Sequence, residues 1–268
     1  MNFIPDVFVI GAMKAGTTTI HNSFRLHPSI CVTKTKEVNY FLEAHTPNSL
    51  NALYRNEFRY PDLLKVDVSP SYSKCHFFPG VASRIYAANP KAKIIYVLRD
   101  PVDRLVSHLH HNLLRDRFSI TDMEQEIFRN VDYISSSRYY FQIREYLNFF
   151  DTKNILILIF EDFINRPQFL VDSLCSFLGI EANRIEERNQ YASESRYKIK
   201  YHDTLHRYFG HGKLAKLYHL FWYLVNIKVE KPQLNELLRS SVVDDLKSDV
   251  ESLSSEFKIS FPSWRNFT

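Results

Sequence analysis

The sequence predicts an α/β fold in which a mostly parallel central sheet is flanked by helices. Two observations indicate this fold: short runs rich in Val, Ile and Leu follow one another along the chain, and helix-like stretches separate them. Strands that alternate with helices form parallel sheets covered on both faces. Hydrophobic residues make up 45% of the 268 residues and charged residues 24%, so the composition supports a sizeable buried core.

The N-terminal part of the chain begins with a predicted strand–helix unit. "DVFVIGA" (residues 6–12) is a β-branched-rich run that ends in glycine, which is typical of a buried parallel strand. Residues 17–26 carry apolar side chains at Ile20 and Phe24 and stop before "HPS", which predicts a helix of modest length. Two further strands are predicted at "ICVT" and at "LLKVDVSPSY", the second ended by Pro70.

The clearest unit of the sequence lies between residues 79 and 114. A helix is predicted to end near Asn89 and Pro90, the run "KIIYVLR" predicts a strand, and the next helix begins at Asp100-Pro101. Asp at the N-cap and Pro at the first helical position are the residues that a helix start prefers.

The remaining elements continue the alternation. "SRYYFQIREYLNFF" predicts a helix, "NILILIF" a buried strand, and "RPQFLVDSLCSFLGI" an amphipathic helix closed by Gly179. From about residue 202 the pattern is helical. Since no linker composition appears, we predict a single domain over residues 1–268, with a core over about 5–200 and a helical tail over about 202–268.

Charge and cysteine content exclude several classes of protein. A formal net charge of +4 is too low for a dedicated nucleic-acid-binding protein. The basic stretch from Arg196 to Lys213 is either a solvated surface stripe or a loop that faces an anion. Cys31, Cys75 and Cys175 include no CxxC pair, which argues against a disulfide framework or a structural zinc site.

Targeting signals are not evident in the sequence. The N-terminus lacks a basic start followed by an apolar signal-peptide core. The apolar run "LFWYLVNI" is far shorter than the roughly 20 residues that cross a bilayer. We therefore predict a cytoplasmic protein that has neither a membrane nor a nucleic-acid partner.

The first strand runs into a turn that resembles a phosphate-binding loop. Gly11 and Gly16 bracket this turn, and Lys14 lies inside it, whereas the lysine of an ordinary triphosphate loop directly follows the second glycine. Backbone N–H groups at such a strand–turn–helix junction bind anions, and Thr17 adds a hydroxyl there. No predicted strand ends in a suitably placed metal-binding Asp. The turn therefore predicts a phosphate-type anion site that functions without a metal ion.

Two motifs together resemble one enzyme family. "GAMKAGTTTIHNSFRLHPSI" and "IYVLRDPVDRLVSHLHH" are similar to the sulfotransferases that use 3′-phosphoadenosine 5′-phosphosulfate (PAPS), in particular the heparan-sulfate branch and its bacterial small-molecule relatives. The resemblance extends from residue 7 to about 200 in the expected order. It implies metal-free, in-line transfer of a sulfuryl group from PAPS to an acceptor, with adenosine 3′,5′-bisphosphate as the second product.

The resemblance also implies the residues that contact the donor. The 5′-phosphosulfate would be held by Lys14, Ala15, Gly16, Thr17, Thr18 and Thr19. Arg99, at the carboxyl end of its strand, and Ser107, in the next helix, would hold the 3′-phosphate, and an arginine there can bind phosphate oxygens in a fork. Alternatively, Arg99 pairs with Asp100 or Asp103, and Ser107 is an ordinary helix hydroxyl. A later, loosely matched loop would close over the 3′-phosphate with Ser193, Arg196 and Tyr197.

Three residues are candidates for catalysis. Glu37, in "TKTKEVNYF", matches the glutamate that serves as the base in the heparan-sulfate branch; the alternative is a solvated glutamate paired with Lys34 or Lys36. Lys14 would stabilise charge on the departing phosphate. His111 lies four residues after Ser107, hence on the same helix face, and resembles a histidine near the acceptor site of N-sulfating relatives. For the neighbouring His108 and His110 we predict packing or solvent-facing roles.

Departures from the family pattern bear on the acceptor. Relatives that act on polyanionic glycans often carry "Glu-Val-His-Phe-Phe" and "Glu-Lys-Thr-Pro", whereas Asn39 and Val68 occupy the corresponding histidine and lysine positions here. We therefore predict a small-molecule alcohol as acceptor, for instance a natural-product hydroxyl. Sulfation of a carbohydrate or glycan hydroxyl or amine is the alternative. An ATP-dependent small-molecule kinase and a non-catalytic nucleotide sensor are more distant alternatives.

Overall fold

The centre of the fold is a five-stranded sheet in which all neighbouring strands are parallel. The computed structural model describes residues 2–115, 121, 123–164, 166–182, 197–198, 227–228 and 231–267. The sheet strands are β1 (Val7–Gly11), β2 (Ile30–Val32), β3 (Leu64–Val68), β4 (Lys93–Leu98) and β5 (Ile155–Ile159). Their order is β2-β3-β1-β4-β5. The predicted strands and the predicted parallel sheet are confirmed.

Helices flank this sheet, and a separate antiparallel pair of short strands lies later in the chain. The helices are α1 (Thr17–Arg25), α2 (Pro47–Arg55), α3 (Val81–Ala88), α4 (Pro101–Leu113), α5 (Met123–Arg129), α6 (Val131–Ser135), α7 (Tyr139–Leu147), α8 (Phe160–Ile164), α9 (Pro167–Leu178) and α10 (Glu236–Phe257). The short pair consists of β6 (Tyr197–Lys198) and β7 (Ile227–Lys228).

Strand β1 occupies the middle of the sheet, and all of its residues are buried. Val9 pairs with Val68 of β3 on one side and with Ile95 of β4 on the other. A strand enclosed in this way has no solvent-facing side, which is why its sequence is continuously apolar. The carboxyl ends of these parallel strands meet at one edge of the sheet, where α/β folds bind ligands.

The predicted helix boundaries arise from local capping chemistry. The carboxylate of Asp100 accepts hydrogen bonds from the N–H groups of Val102 and Asp103 at 3.0 and 3.2 Å, so it satisfies the first turn of α4. Helix α9 ends at Gly179, which adopts the left-handed conformation (φ 75°) that a glycine takes up most readily. Both boundaries confirm the sequence prediction.

Helix α2 was not among the predicted elements. Pro47 occupies the first turn of this helix, and the hydroxyl of Thr46 accepts a hydrogen bond from Ser49 N at 3.2 Å. A Thr-Pro pair at a helix start is a usable signal. The apolar pattern is weak, however, because only Leu50 and Tyr54 of the helix are buried.

The described C-terminal residues pack onto the core. Helix α10 contacts α7 and α4, and the carboxylate of Asp249 accepts from the N–H groups of Tyr140 and Phe141, both at 2.8 Å. Trp264 is fully buried and stacks on Phe261, with 3.9 Å between ring centroids.

The predicted tail is only partly within the described ranges. Helix α10 confirms its helical character over residues 236–257, but Ile227–Lys228 form strand β7, so the prediction of a wholly helical tail is wrong there because these residues pair with β6. Residues 201–226 lie outside the described part, and the single-domain organisation stays a prediction. None of the helices that the structure describes is both long enough and apolar enough to traverse a bilayer.

Candidate active site

The turn between β1 and α1, residues 11–16, forms the floor of the candidate site. Gly16 is the N-cap residue of α1 and offers no side chain to the first helical turn. Within the described part of the chain, the N–H groups of Thr17 and Thr18 form no hydrogen bond, as expected for the first turn of an uncapped helix. These groups, at the positive end of the helix dipole, can bind an anion.

Neighbouring side chains leave no space for a Cβ atom at either glycine of this β1–α1 turn. A Cβ atom on Gly16 would lie 2.6 Å from a ring carbon of Phe160, and the residue has φ 90°. A Cβ on Gly11 would lie 2.5 Å from the Ser73 hydroxyl oxygen. Any larger residue would therefore force these contacts apart and displace the turn.

Arg99 lies beside the turn, at the carboxyl end of β4. Its Nη1 donates to the carbonyl oxygen of Lys14 at 3.3 Å, and its guanidinium carbon lies 4.8 Å from the centre of the Phe160 ring. A guanidinium that stacks on an aromatic face is held in orientation while its remaining N–H groups are available to a ligand. Nε is buried and makes no hydrogen bond to the described residues.

The alternative pairing of Arg99 with Asp100 or Asp103 is not present. The Asp100 carboxylate instead caps α4 and accepts from the Asn266 side chain at 2.8 Å. Asp103 forms its ion pair with Arg265 at 3.0 Å. Arg99 thus forms no ion pair with Asp100 or Asp103, and the described carboxylate on which its charge acts is that of Glu161.

Helix α4 carries Ser107 and His111 at partly exposed positions, in keeping with their predicted common face. His108 is buried, and its ring lies 4.6 Å from that of Tyr133, so the predicted packing role of His108 is confirmed. His110 is partly exposed. The roles of Ser107 and His111 in binding stay predictions.

Glu37 lies in the turn after β2, in a left-handed conformation (φ 62°). Lys36 joins it to the first turn of α1: its Nζ lies 3.0 Å from Glu37 Oε1 and donates to the Thr18 hydroxyl at 2.8 Å. Of the two lysine partners considered, the ion pair uses Lys36, whereas Lys34 donates to the carbonyl oxygen of Asn56 at 2.7 Å. Glu37 therefore forms the ion pair with Lys36 and also lies beside the β1–α1 turn. Sequence reasoning did not select Lys36.

Two buried carboxylates hold the segment that carries Glu37. Glu57 accepts from Thr35 N at 2.9 Å and from the Tyr40 hydroxyl at 3.0 Å, so it ties both flanks of Glu37 to the end of α2. The second carboxylate is Asp67 in β3, which is fully buried.

Asp67 connects the same segment to the sheet. It accepts from three hydroxyl groups, those of Tyr54 (2.5 Å), Ser69 (2.6 Å) and Tyr72 (2.8 Å). Burial raises the pKa of Asp67, although these hydrogen bonds act in the opposite direction. The Ser69 hydroxyl in turn accepts from Asn39 N at 3.3 Å.

A further polar cluster surrounds Asp132, at the start of α6. Lys74 Nζ lies 2.7 Å from this carboxylate, and Nε2 of His76 lies 3.3 Å from it. Although burial opposes the shift, hydrogen bonding from His76 and the charge of Lys74 hold the pKa of Asp132 well below its usual range. Burial lowers the pKa of His108 to about 2, and nearby positive charges, Lys14 among them, act in the same direction. Lys14 of the β1–α1 turn is therefore close enough to act electrostatically on this cluster.

Three predicted donor contacts cannot be placed in this geometry. Ser193 and Arg196 lie outside the described residues. For Tyr197 only the backbone is described, in the antiparallel pair of β6 with β7. Their predicted contacts with a 3′-phosphate stay predictions.

The sequence of this chain is similar to those of known sulfotransferases. Residues 4–211 match the family model described as "Sulfotransferase domain". A membrane-associated sulfotransferase, kil1, of Dictyostelium discoideum is 32% identical over 41% of this chain and 23% of its own length. The human heparan sulfate glucosamine 3-O-sulfotransferase 5 is 28% identical over 39% of this chain and 30% of its own length. The chain thus spans less than a third of these two relatives.

A solved structure shares the fold over nearly the whole chain. A sulfotransferase from Alicyclobacillus acidocaldarius superposes with a TM-score of 0.70 and 22% identity, over 97% of this chain and 98% of that one. At this identity the likeness establishes the architecture and not the substrate.

We predict that His108 makes folding stability depend on pH. The folded protein keeps this histidine neutral down to about pH 2, whereas the unfolded chain protonates it near its ordinary pKa, so stability falls on acidification. Between about pH 7.5 and pH 5.5 this group alone lowers the free energy of unfolding by roughly 1 kcal/mol. Urea unfolding of wild type and His108→Gln at both pH values measures the difference.

The partly exposed His45 supplies the control for this measurement. His45→Gln is expected to keep the wild-type pH dependence, and His108→Gln to show a weaker one. Equal pH dependence in wild type and His108→Gln would contradict the assignment.

Proposed function

This chain belongs to the sulfotransferase family, and we propose that it transfers a sulfuryl group from PAPS to a hydroxyl group of a small-molecule acceptor. The observation that carries this proposal is the contact of Lys36 with both Thr18 and Glu37. It sets an acidic side chain next to the helix end that would receive the donor. A base and an anion site side by side are what sulfuryl transfer to an alcohol requires.

Two neighbouring regions of positive charge or polarity support PAPS as the sulfuryl donor. The first is the N-terminal end of α1, where Thr17 and Thr18 present N–H groups for the 5′-phosphosulfate. The second is Arg99, which contacts the same turn and is paired with neither Asp100 nor Asp103, so that it suits the 3′-phosphate. Ser107, further along α4, would add a hydroxyl to that phosphate.

The proposed reaction is a single in-line displacement at sulfur. The acceptor oxygen forms a bond to sulfur while the bond from sulfur to the bridging oxygen of PAPS breaks, and adenosine 3′,5′-bisphosphate leaves. Glu37 takes the proton of the acceptor hydroxyl. Lys14 stabilises the charge that develops on the bridging oxygen, so the cations of the chain take the place of a metal ion.

Two residues favour an acceptor of low charge. Val68, at the position of the lysine in glycan-sulfating relatives, is fully buried and supplies no cation to the acceptor cleft. Asn39, at the position of their histidine, has a side-chain oxygen that is buried and forms no hydrogen bond with the described residues. A small alcohol is therefore the first proposed class of acceptor, and a glycan is the second. A cytoplasmic location stays a prediction from the sequence.

The test of this function is a transfer assay with labelled PAPS. The purified protein would be incubated with a panel of small alcohols, phenols and sugars, and mass spectrometry would detect an added sulfo group. A sulfated small alcohol is the expected result, and a sulfated sugar alone would select the glycan alternative. Binding of adenosine 3′,5′-bisphosphate without transfer would indicate a sensor, and transfer from ATP that a chelator abolishes would indicate a kinase.

We predict that Lys14→Met lowers turnover far more than donor affinity. The lysine acts on charge that develops only during the reaction, and loss of one such stabilising group costs about 10²–10³-fold in kcat. Steady-state kinetics and calorimetric titration with adenosine 3′,5′-bisphosphate separate the two effects. The exposed Lys91 provides a matched control, as Lys91→Met is expected to change neither value.

We predict that Glu37→Gln nearly abolishes transfer while adenosine 3′,5′-bisphosphate binds at least as tightly as it does to the wild type. Loss of a general base lowers the rate by about 10²–10⁴-fold. The same kinetics and titration apply, and a variant with normal turnover would remove Glu37 from the role of base.

A further inference from the structure

Lys36 connects the proposed base to the proposed donor site through one ammonium group. Its Nζ lies 2.8 Å from the Thr18 hydroxyl and 3.0 Å from Glu37 Oε1. Thr18 is exposed and belongs to the turn of α1 whose N–H groups face the anion site. A donor anion bound at that turn would therefore lie within reach of the same ammonium.

The ion pair between Lys36 and Glu37 can be exchanged easily. The side chains are 34% and 42% exposed, and exposed ion pairs contribute little because water screens them. An anionic phosphosulfate would carry more than one negative charge and would lie against the helix dipole. Lys36 would therefore gain more from the donor than from Glu37.

The backbone around this pair is fixed, so only the two side chains need to move. Glu57 holds Thr35 on one flank and Tyr40 on the other, and Ser69 accepts from Asn39 N. Glu37 thus stays next to the helix end when Lys36 changes partner. As long as the ion pair persists, the ammonium occupies Oε1 of Glu37 and partly neutralises the carboxylate that an acceptor hydroxyl would approach.

We propose that Lys36 is a second donor-binding cation that leaves Glu37 for the donor anion and thereby releases Oε1 of the base carboxylate when the donor is bound. The inference rests on the proposed function. It couples occupation of the donor site to availability of the base, so the acceptor is activated on the donor-bound enzyme. No group is consumed in this step, since the ammonium keeps its charge and only changes its carboxylate partner for a phosphate or sulfate oxygen.

The test is a double-mutant cycle in binding of adenosine 3′,5′-bisphosphate, measured by calorimetry without turnover. Lys36→Met is expected to weaken binding about tenfold or more, as is typical of a lost hydrogen bond to a charged group. Lys36→Arg is expected to retain most of the affinity. Lys34→Met, which alters a lysine bonded to Asn56, is the matched control and is expected to bind as wild type does.

The decisive comparison uses Glu37→Gln. Because this change releases Lys36, binding is expected to tighten by about 2- to 5-fold, the range that an exposed ion pair supplies. In the Lys36→Met background the same change is expected to have no effect. Thermal unfolding of each variant establishes that it is folded.

The outcomes separate this inference from the function on which it rests. If Glu37→Gln fails to tighten binding, or tightens it equally without Lys36, the exchange is overturned, while transfer by the wild type still supports the proposed function. If the wild type does not bind adenosine 3′,5′-bisphosphate, both are overturned.

Discussion

The candidate site depends on the contacts that the Phe160 ring makes with Gly16 and Arg99. The ring lies so close to Gly16 that no side chain fits there, and it supports the guanidinium of Arg99 on its face. One ring at the end of β5 therefore sets the start of α1 and the direction of Arg99 together. Since proteins pack as densely as molecular crystals, a contact of this kind leaves little freedom to either group.

A second constraint comes from two buried carboxylates that need hydrogen-bond donors. Asp67 and Glu57 lie below the surface, and each is surrounded by hydroxyl or N–H donors from different elements. Removing any donor would leave a buried carboxylate poorly satisfied, which is costly. The network therefore holds the segment of Lys36 and Glu37 against the sheet, so the proposed exchange of partners requires only side chains to move.

Sequence reasoning succeeded where the determining interactions are local. Asp100 caps the helix that begins one residue later, and Gly179 ends α9 in a conformation that other residues avoid. It missed Phe160 and Lys36, because nothing near them in the chain shows that they face Gly16 or Thr18. A lysine directly before a candidate base was the one available signal for Lys36.

The sequence by itself determined where the five strands of the central sheet lie along the chain, several helix boundaries and the glycine-bounded turn, because backbone preferences and apolar periodicity act over a few residues. The tertiary structure decided which charges meet. Lys36 reaches Thr18 only because β2 joins the sheet beside β3 and brings its following segment against α1. Asp100 and Asp103, the acidic neighbours of Arg99 in the sequence, find partners in the distant C-terminal segment, Asn266 and Arg265. Such pairings join residues that are far apart in the chain, so no local sequence pattern predicts them.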